Sequence, residues 1–381
     1  MPNLYNNFIL PNSNNFSLTE DSIPWFLLST AIKFKKILFV CKNEKELDFL
    51  KVSLKKLSSK IKVLTFPEWN CPLFTTISPS ENNKSSRINA IMNLLNSQSD
   101  TQIILTTFKS LLIKTLPKSE LISKQLNLKK SEKNFSIEKL SNFLSENGYK
   151  KTDTVRQKSD YSIRGGIIDF FCATERKPVR LDFFSSYIES IKYFDPLSQL
   201  SNQSLNQIKI TPASEFFFNN KNVQIFRTRF REENIKDKSY AYESISNKQE
   251  FPGYENFLPF MYEKLESFLN YTNNLNIVMR VDYQNEIDGI HQSLINTLKG
   301  TDFDSNNFKN IVLDKDELKK HISDKKVILI SNLVNHNFKK ITRSLPKINL
   351  LNNDKSINNF ELFLKDKLKD HRILITSKNE F

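Results

Sequence analysis

The sequence predicts an α/β protein with a parallel sheet, interrupted by a stretch of different texture. Three observations carry that expectation. Short apolar runs of strand length alternate with segments whose apolar residues recur at helical spacing, near both ends of the chain. The middle of the chain breaks into short alternating segments divided by turn residues, the pattern of an antiparallel sheet. Of the 381 residues 39% are hydrophobic and 12% aromatic, which is enough to bury real cores, and the length suits two to three domains.

In the first stretch, Lys36–Cys41 (KILFVC) is a buried-strand run, Glu44–Leu57 has apolar residues at helical spacing, and Lys62–Phe66 (KVLTF) is a second strand. A proline-punctuated loop, Pro67–Ser80, holds Trp69; Ser86–Leu95 follows as an amphipathic helix and Gln102–Thr107 as a third strand. Strands alternating with helices imply a parallel sheet covered on both faces. Pro117 and the polar Lys118–Lys133 stretch mark a boundary. Beyond it, Ile137–Asn147 reads as a helix closed by Gly148. The strands expected next are Lys151–Gln157, Gly166–Phe171, Pro178–Phe184, Ile188–Phe194 and Gln207–Thr211. Glu215–Leu298 returns to mixed helix and loop, with an aromatic run at Tyr254–Tyr271, a strand at Asn276–Val281 and a helix at Gln284–Leu298. Strands are expected again at Asn310–Leu313, Lys326–Ser331, Lys347–Leu351 and Arg372–Thr376.

Several chemistries lack their residues. Phosphate-cradling loops need glycines so that backbone N–H groups can close around an anion, yet there are only six glycines and none in the first 147 residues. Neither GxxxxGK[ST] nor GxGxxG occurs, so no cofactor and no nucleotide-driven motor is expected of this chain. Cys41, Cys71 and Cys172 are far apart and odd in number, which suits a reducing compartment, and no histidine has metal-ligand spacing. No window approaches the roughly 18–20 apolar residues of a membrane span, so cytoplasmic is the default location. The net charge of +14 invites a polyanion partner, but the excess is spread along the chain and most basic residues are lysines, as on solvated faces.

Arginine is scarce, so its clustering is informative. Four of the eleven, Arg156, Arg164, Arg176 and Arg180, fall in one window. Gly165-Gly166 after Arg164 permits a close backbone approach or a bulge. In the strand that follows, Arg180, Asp182 and Phe184 share one face by the period of two, with Leu181 and Phe183 on the other. Spacing leaves two readings open. In one, Arg180 pairs with Asp182 or Asp169 on a wet face and Phe184 is core. In the other, an exposed aromatic is flanked by guanidinium forks, the residue types that anchor protein interfaces.

Two segments, RGGIIDFF (Arg164–Phe171) and VRLDFFSSYIESIKYFDP (Val179–Pro196), followed by IKITPASE (Ile208–Glu215), closely resemble bacterial transcription-repair coupling factors and, more distantly, the excinuclease protein UvrB. Phe66–Leu94, with Trp69, Pro72, Ser78, Pro79 and Arg87 in order, and Phe251–Tyr271 resemble two further segments of that family. The resemblance implies a degenerate P-loop, RecA-like UvrB-type domain 1 split by an inserted antiparallel α+β domain 2 and followed by a small α/β domain. The implied limits are 1–124 for domain 1a, 125–213 for domain 2, 214–300 for domain 1b and 301–381 for the small domain. It further implies a non-catalytic role in nucleotide excision repair, recruiting the damage-recognition protein UvrA through Arg164, Arg180 and Phe184. The family's polymerase-interacting and translocase regions have no counterpart here, and the chain stops near the expected end of the small domain. It is therefore expected to be a fragment of a longer coupling factor, with RNA polymerase contacted only through missing regions.

Two other functions remain possible on the residues: part of an ATP-dependent DNA translocase whose motor lies in a longer parent chain, and a nonspecific DNA-binding protein. Arg227, Arg229 and Arg231 (RTRFR) could form a basic stripe, or be surface arginines balancing Glu232 and Glu233. Trp69 could stack on a base or pack in its loop.

Overall fold

The structure, a computed structural model, describes residues 14–96, 101–133, 135–216, 218–232, 239–272, 275–301, 303–332 and 338–340, with a few positions between 361 and 368. The first stretch holds strands β1 (Asn15–Ser17), β2 (Lys36–Cys41), β3 (Lys62–Phe66) and β4 (Gln102–Thr107), and helices α1 (Ile23–Phe34), α2 (Glu44–Leu57), α3 (Glu81–Asn96), α4 (Phe108–Leu112) and α5 (Lys118–Ser123). The middle stretch has β5 (Leu126–Lys129), α6 (Ile137–Glu146), β6 (Lys150–Lys151), β7 (Asp160–Arg164), β8 (Ile167–Phe170), β9 (Val179–Phe184), β10 (Tyr187–Phe194), β11 (Ser201–Leu205) and β12 (Gln207–Ile210). The last has α7 (Asn220–Glu232), α8 (Ser239–Ser246), β13 (Asn276–Arg280), α9 (Tyr283–Asn296), α10 (Ser305–Ile311), α11 (Lys315–Ser323), β14 (Lys326–Ser331) and β15 (Lys339–Lys340).

The expected α/β character holds. Seven strands form one parallel sheet in the order β15-β1-β14-β13-β2-β4-β3. Alternate residues of each strand feed two cores. Ile37, Phe39, Ile103, Leu105 and Val278 pack with Leu27 and Leu28 of α1 and Leu47, Leu50 and Leu54 of α2. Leu38, Val40, Ile104, Ile277 and Met279 pack on the other face with Ile88, Ile91 and Met92 of α3 and Ile287 of α9. Burial on both faces explains why these strands read as continuous apolar runs.

Strand order corrects one expectation. Lys326–Ser331, read as part of a separate domain from residue 301, is inserted in the large sheet between β13 and β1. A six-residue KVILIS run buries its apolar side chains by pairing on both edges, and the parallel sheet supplies both. Asn310–Leu313 is likewise no strand. Asp304 accepts hydrogen bonds from Asn306 N and Asn307 N, and Asn307 Oδ1 takes Asp304 N, so a capping box starts α10 and carries it to Ile311. Only Val312 makes a bridge, to Ile113. The strands expected at Lys347–Leu351 and Arg372–Thr376 lie outside the described residues. Helix α1 has no periodic signal because it is apolar nearly all round, and Ile23, Pro24, Phe26–Ala31 are all buried. Helix α3 begins at Glu81 rather than Ser86, since Ser80 Oγ accepts Asn83 N at 3.3 Å and the buried Lys84 and Arg87 hide its apolar stripe.

The middle stretch forms a six-stranded sheet, β11-β10-β9-β8-β7-β6, antiparallel except at β6–β7. One face carries α6: Leu140 and Leu144 pack with Ile168, Phe170, Val179, Leu181 and Phe183. Sequence patterning overextended β6 and missed the polar β11 (SNQSL). The chain leaves the parallel sheet through β5 and returns through β12, and these two strands pair with each other antiparallel.

Just after β12, the returning chain is pinned by a buried ion pair. Arg87 of α3, fully buried, donates from Nε to Glu215 Oε2 at 2.7 Å and from Nη1 to Pro67 O at 3.0 Å and Ser110 Oγ at 3.1 Å. Its guanidinium lies 4.0 Å from the Phe66 ring centroid, and Thr115 Oγ1 also donates to Glu215. Glu215→Ala is expected to cost about 3–5 kcal/mol in urea unfolding because it strands a buried charge, whereas Arg87→Met with Glu215→Leu should cost less than the sum of the single changes. Additive losses would contradict the pairing.

Candidate protein-docking site

The face of the six-stranded sheet opposite α6 carries the arginine constellation. Val179, Leu181 and Phe183 point to the core, so the strand period turns Arg180, Asp182 and Phe184 to the open side. Asp169 of β8 lies directly opposite Arg180 in the antiparallel ladder. It is 1% exposed, and both arginines reach it: Arg180 Nε to Oδ1 at 2.8 Å and Nη2 to Oδ2 at 2.9 Å, Arg164 Nη2 to Oδ2 at 3.3 Å. The fork of Arg180 also stacks 4.8 Å from the Phe194 ring centroid, and its Nη1 donates to Gln199 O at 3.3 Å. The hydrogen bonds to Asp169 raise the Arg180 pKa above its ordinary value. Asp182 turns to β10 instead. Burial alone would raise its pKa, but the Ser190 hydroxyl and Lys192 Nζ at 3.0 Å hold it below the ordinary value.

Arg164 and Phe184 sit at one end of this sheet because of the β7–β8 turn. Gly165 takes φ +57, and a Cβ on Gly166 would stand 2.9 Å from Phe183 O, so the turn nests against β9. Phe183 N donates to Gly166 O at 2.8 Å, which seats the turn beside Phe184. Phe184 is 73% exposed and Arg164 keeps 54% of its side chain in solvent, while Arg180 keeps 18%. Of the two pairings left open for Arg180 the geometry selects Asp169, and Phe184 is not core. Arg156 and Arg176, the other two members of the cluster, are exposed and make no contact with Asp169. The hub role of Asp169 was legible only as one of two options, because strand register, which pairs it with Arg180, is not encoded locally.

The other candidates are structural. Trp69 is buried in the core beneath its loop. Arg227 and Arg229 donate to Ser246 O at 3.1 Å and Pro259 O at 2.9 Å, and Arg231 reaches Tyr242 Oη at 2.5 Å, so the RTRFR segment ties α7 to its neighbours; Glu233, one of the two acids expected to balance it, lies outside the described residues. Burial raises the Cys172 thiol to about 12, and all three cysteines are buried. Among the described residues no group of side chains could hold a metal, and no helix is long and apolar enough to cross a membrane. At the end of β2, the N-terminus of α2 is capped by the protein's own side chains. Asn43 Oδ1 accepts Glu46 N at 3.0 Å, Glu46 Oε2 accepts Lys42 N at 2.6 Å, and Glu44 Oε1 accepts Glu68 N at 2.8 Å. Burial, with the charges of Glu68 and Asp48, raises the Glu44 pKa, a sign of crowded carboxylates.

This sheet has one face packed and presents an exposed aromatic and arginines on the other, and residues 126–216 match the UvrB interaction domain family. Over a longer stretch the chain is similar to transcription-repair-coupling factors. It is 31% identical over 221 residues to that of Haemophilus influenzae, covering 57% of this chain and 19% of the relative. With that of Rickettsia bellii it shares 30% identity over 256 residues, 66% of this chain and 22% of the relative. With that of Escherichia coli it shares 28% over 212 residues, 55% of this chain and 18% of the relative. The chain thus spans about a fifth of the length of the curated relatives it matches.

Asp169→Asn is expected to lower stability by about 2 kcal/mol, as loss of charge-assisted bonds to a partly buried guanidinium does. Asp182→Asn, whose partner Lys192 is half exposed, should cost under about 1 kcal/mol in the same urea titration. The reverse order would remove Asp169 from the centre of the site.

Proposed function

We propose that this chain is a non-catalytic docking module that recruits the excinuclease protein UvrA in transcription-coupled nucleotide excision repair, as part of a transcription-repair coupling factor. The observation that carries this reading is Phe184, exposed beside Arg164 on a face organised by a buried aspartate. Exposed aromatic and arginine side chains are the residue types that anchor protein interfaces. The UvrB interaction domain match over residues 126–216 and the relatives' names support the same process. In this reading residues 125–213 form the docking domain, inserted in a UvrB-like platform made of 1–124 and 214–300, whose sheet β14 also joins. Arg164, Arg180 and Phe184 serve UvrA binding, the first and last by contact.

Two features speak against an ATP-driven motor or a DNA surface within this chain. Neither phosphate-loop pattern, GxxxxGK[ST] nor GxGxxG, occurs in the sequence. The densest arginine run is spent on internal hydrogen bonds. Motor activity and RNA polymerase contact would belong to parts of the relatives this chain does not match.

Titration calorimetry of the chain with purified UvrA tests the reading. Phe184→Ala, a change at an exposed side chain, should weaken binding by about 30-fold or more while leaving the unfolding midpoint unchanged. A folded wild-type chain that gives no heat with UvrA, or a Phe184→Ala variant that binds as wild type, would refute it.

A further inference from the structure

The three most exposed large apolar side chains among the described residues lie on the six-stranded sheet or on one of its connections: Leu197 at 86%, Phe184 at 73% and Leu200 at 70%. The two leucines stand on the connection between β10 and β11, at the opposite end of the open face from Phe184, with Arg180 between. The distance from Arg180 to Phe184 along β9 is about 13 Å at 3.3 Å per residue.

That connection is tightly built. Asp195 Oδ1 accepts Leu197 N at 3.0 Å and Ser198 N at 2.8 Å, Gln199 N donates to Asp195 O at 2.8 Å, and Asp195 N to Leu200 O at 3.0 Å. Gln199 adopts φ +61, and its Nε2 donates to Pro196 O at 2.7 Å and Val155 O at 3.2 Å. Phe194, buried with Val155 and Phe171, forms the floor beneath it. Arg180 joins this loop to the rest of the face, because the same guanidinium that forks onto Asp169 stacks on Phe194 and donates to Gln199 O. Single exposed leucines need no explanation. Two on a loop held by its own hydrogen bonds, wired to the arginine at the centre of the site, do.

We infer that the docking face continues past Arg180 onto the Asp195–Leu200 loop, with Leu197 and Leu200 as apolar anchors for the partner and Arg180 as the positioning residue that holds the loop in place. The inference rests on the protein-docking reading of this face. The occupant it fits is a protein surface with apolar hollows rimmed by carboxylates. Lys192 is paired with Asp182, but Arg164 and Arg180 share the single buried carboxylate of Asp169, so the excess charge of the constellation is cationic and reaches solvent at Arg164. A nucleic acid would use the cations but has no use for paired aliphatic anchors.

The test uses the full chain and purified UvrA, with Phe184→Ala alongside a Leu197→Ser/Leu200→Ser double variant and Arg180→Lys. The double variant changes only solvent-exposed side chains, so it should keep the wild-type urea midpoint and bind at least about tenfold more weakly. Arg180→Lys keeps the charge but not the fork; it should weaken binding and also speed amide hydrogen exchange at 197–200. A leucine variant that binds as wild type while Phe184→Ala loses affinity would overturn this inference and leave the docking function standing. If wild type does not bind, or all variants bind equally, the docking function itself fails. Lost binding in Arg180→Lys with unchanged loop exchange would make Arg180 a direct contact and overturn its positioning role. Tight, salt-sensitive binding of duplex DNA that ignores both leucines, with none to UvrA, would overturn the protein partner.

Discussion

The architecture depends on returning the chain to the parallel sheet after a long excursion, and the Arg87–Glu215 ion pair is where that return is fastened. Glu215 follows the last strand of the excursion, and Arg87 belongs to a helix laid down before it began. A buried pair stabilises only when every donor and acceptor is used. Here Pro67 O, Ser110 and Thr115 complete the set, and Tyr262 Oη donates to Glu215 O at 3.3 Å. One guanidinium therefore holds together the Pro67 loop, α3, α4 and the re-entry point.

Around this pin the excursion is braced by a second set of charges. Lys150 at the start of the six-stranded sheet reaches Glu81 of α3 at 2.9 Å and Glu250 at 3.3 Å, and Lys84, buried, reaches Glu81 at 2.7 Å and Glu255 at 3.2 Å. The Pro67–Ser80 loop is clasped by the segment that follows α8. Gly253, at φ +85, lies so close that a Cβ would stand 2.3 Å from Thr75 O, while Asn256 Oδ1 accepts Phe74 N at 2.8 Å. Two segments some 180 residues apart in sequence, each noticed for its motif, are thus one contact surface.

The open face of the six-stranded sheet repeats the logic of the pin at a more exposed place. A carboxylate withdrawn from solvent orders two arginines, one almost covered and one reaching outward, so two cations share one buried acid. The packed opposite face gives this arrangement a rigid base, and the hairpin turns set which side chains reach solvent at its ends.

What the sequence determined by itself was local and periodic: the strands β2, β3, β4 and β13, the helices α2, α6 and α9, and the fact that Arg180 and Phe184 share a side. These follow from periods of 2 and 3.6 residues, which are properties of the backbone. Tertiary structure decided the rest. Whether that shared side faces solvent depended on α6 covering the other one. Whether Arg180 would take Asp169 or Asp182 depended on ladder register. That β14 joins the large sheet, between strands drawn from opposite ends of the chain, depended on parallel pairing across more than two hundred residues. Pairing energies of that kind belong to contacts between segments, so no window of sequence contains them.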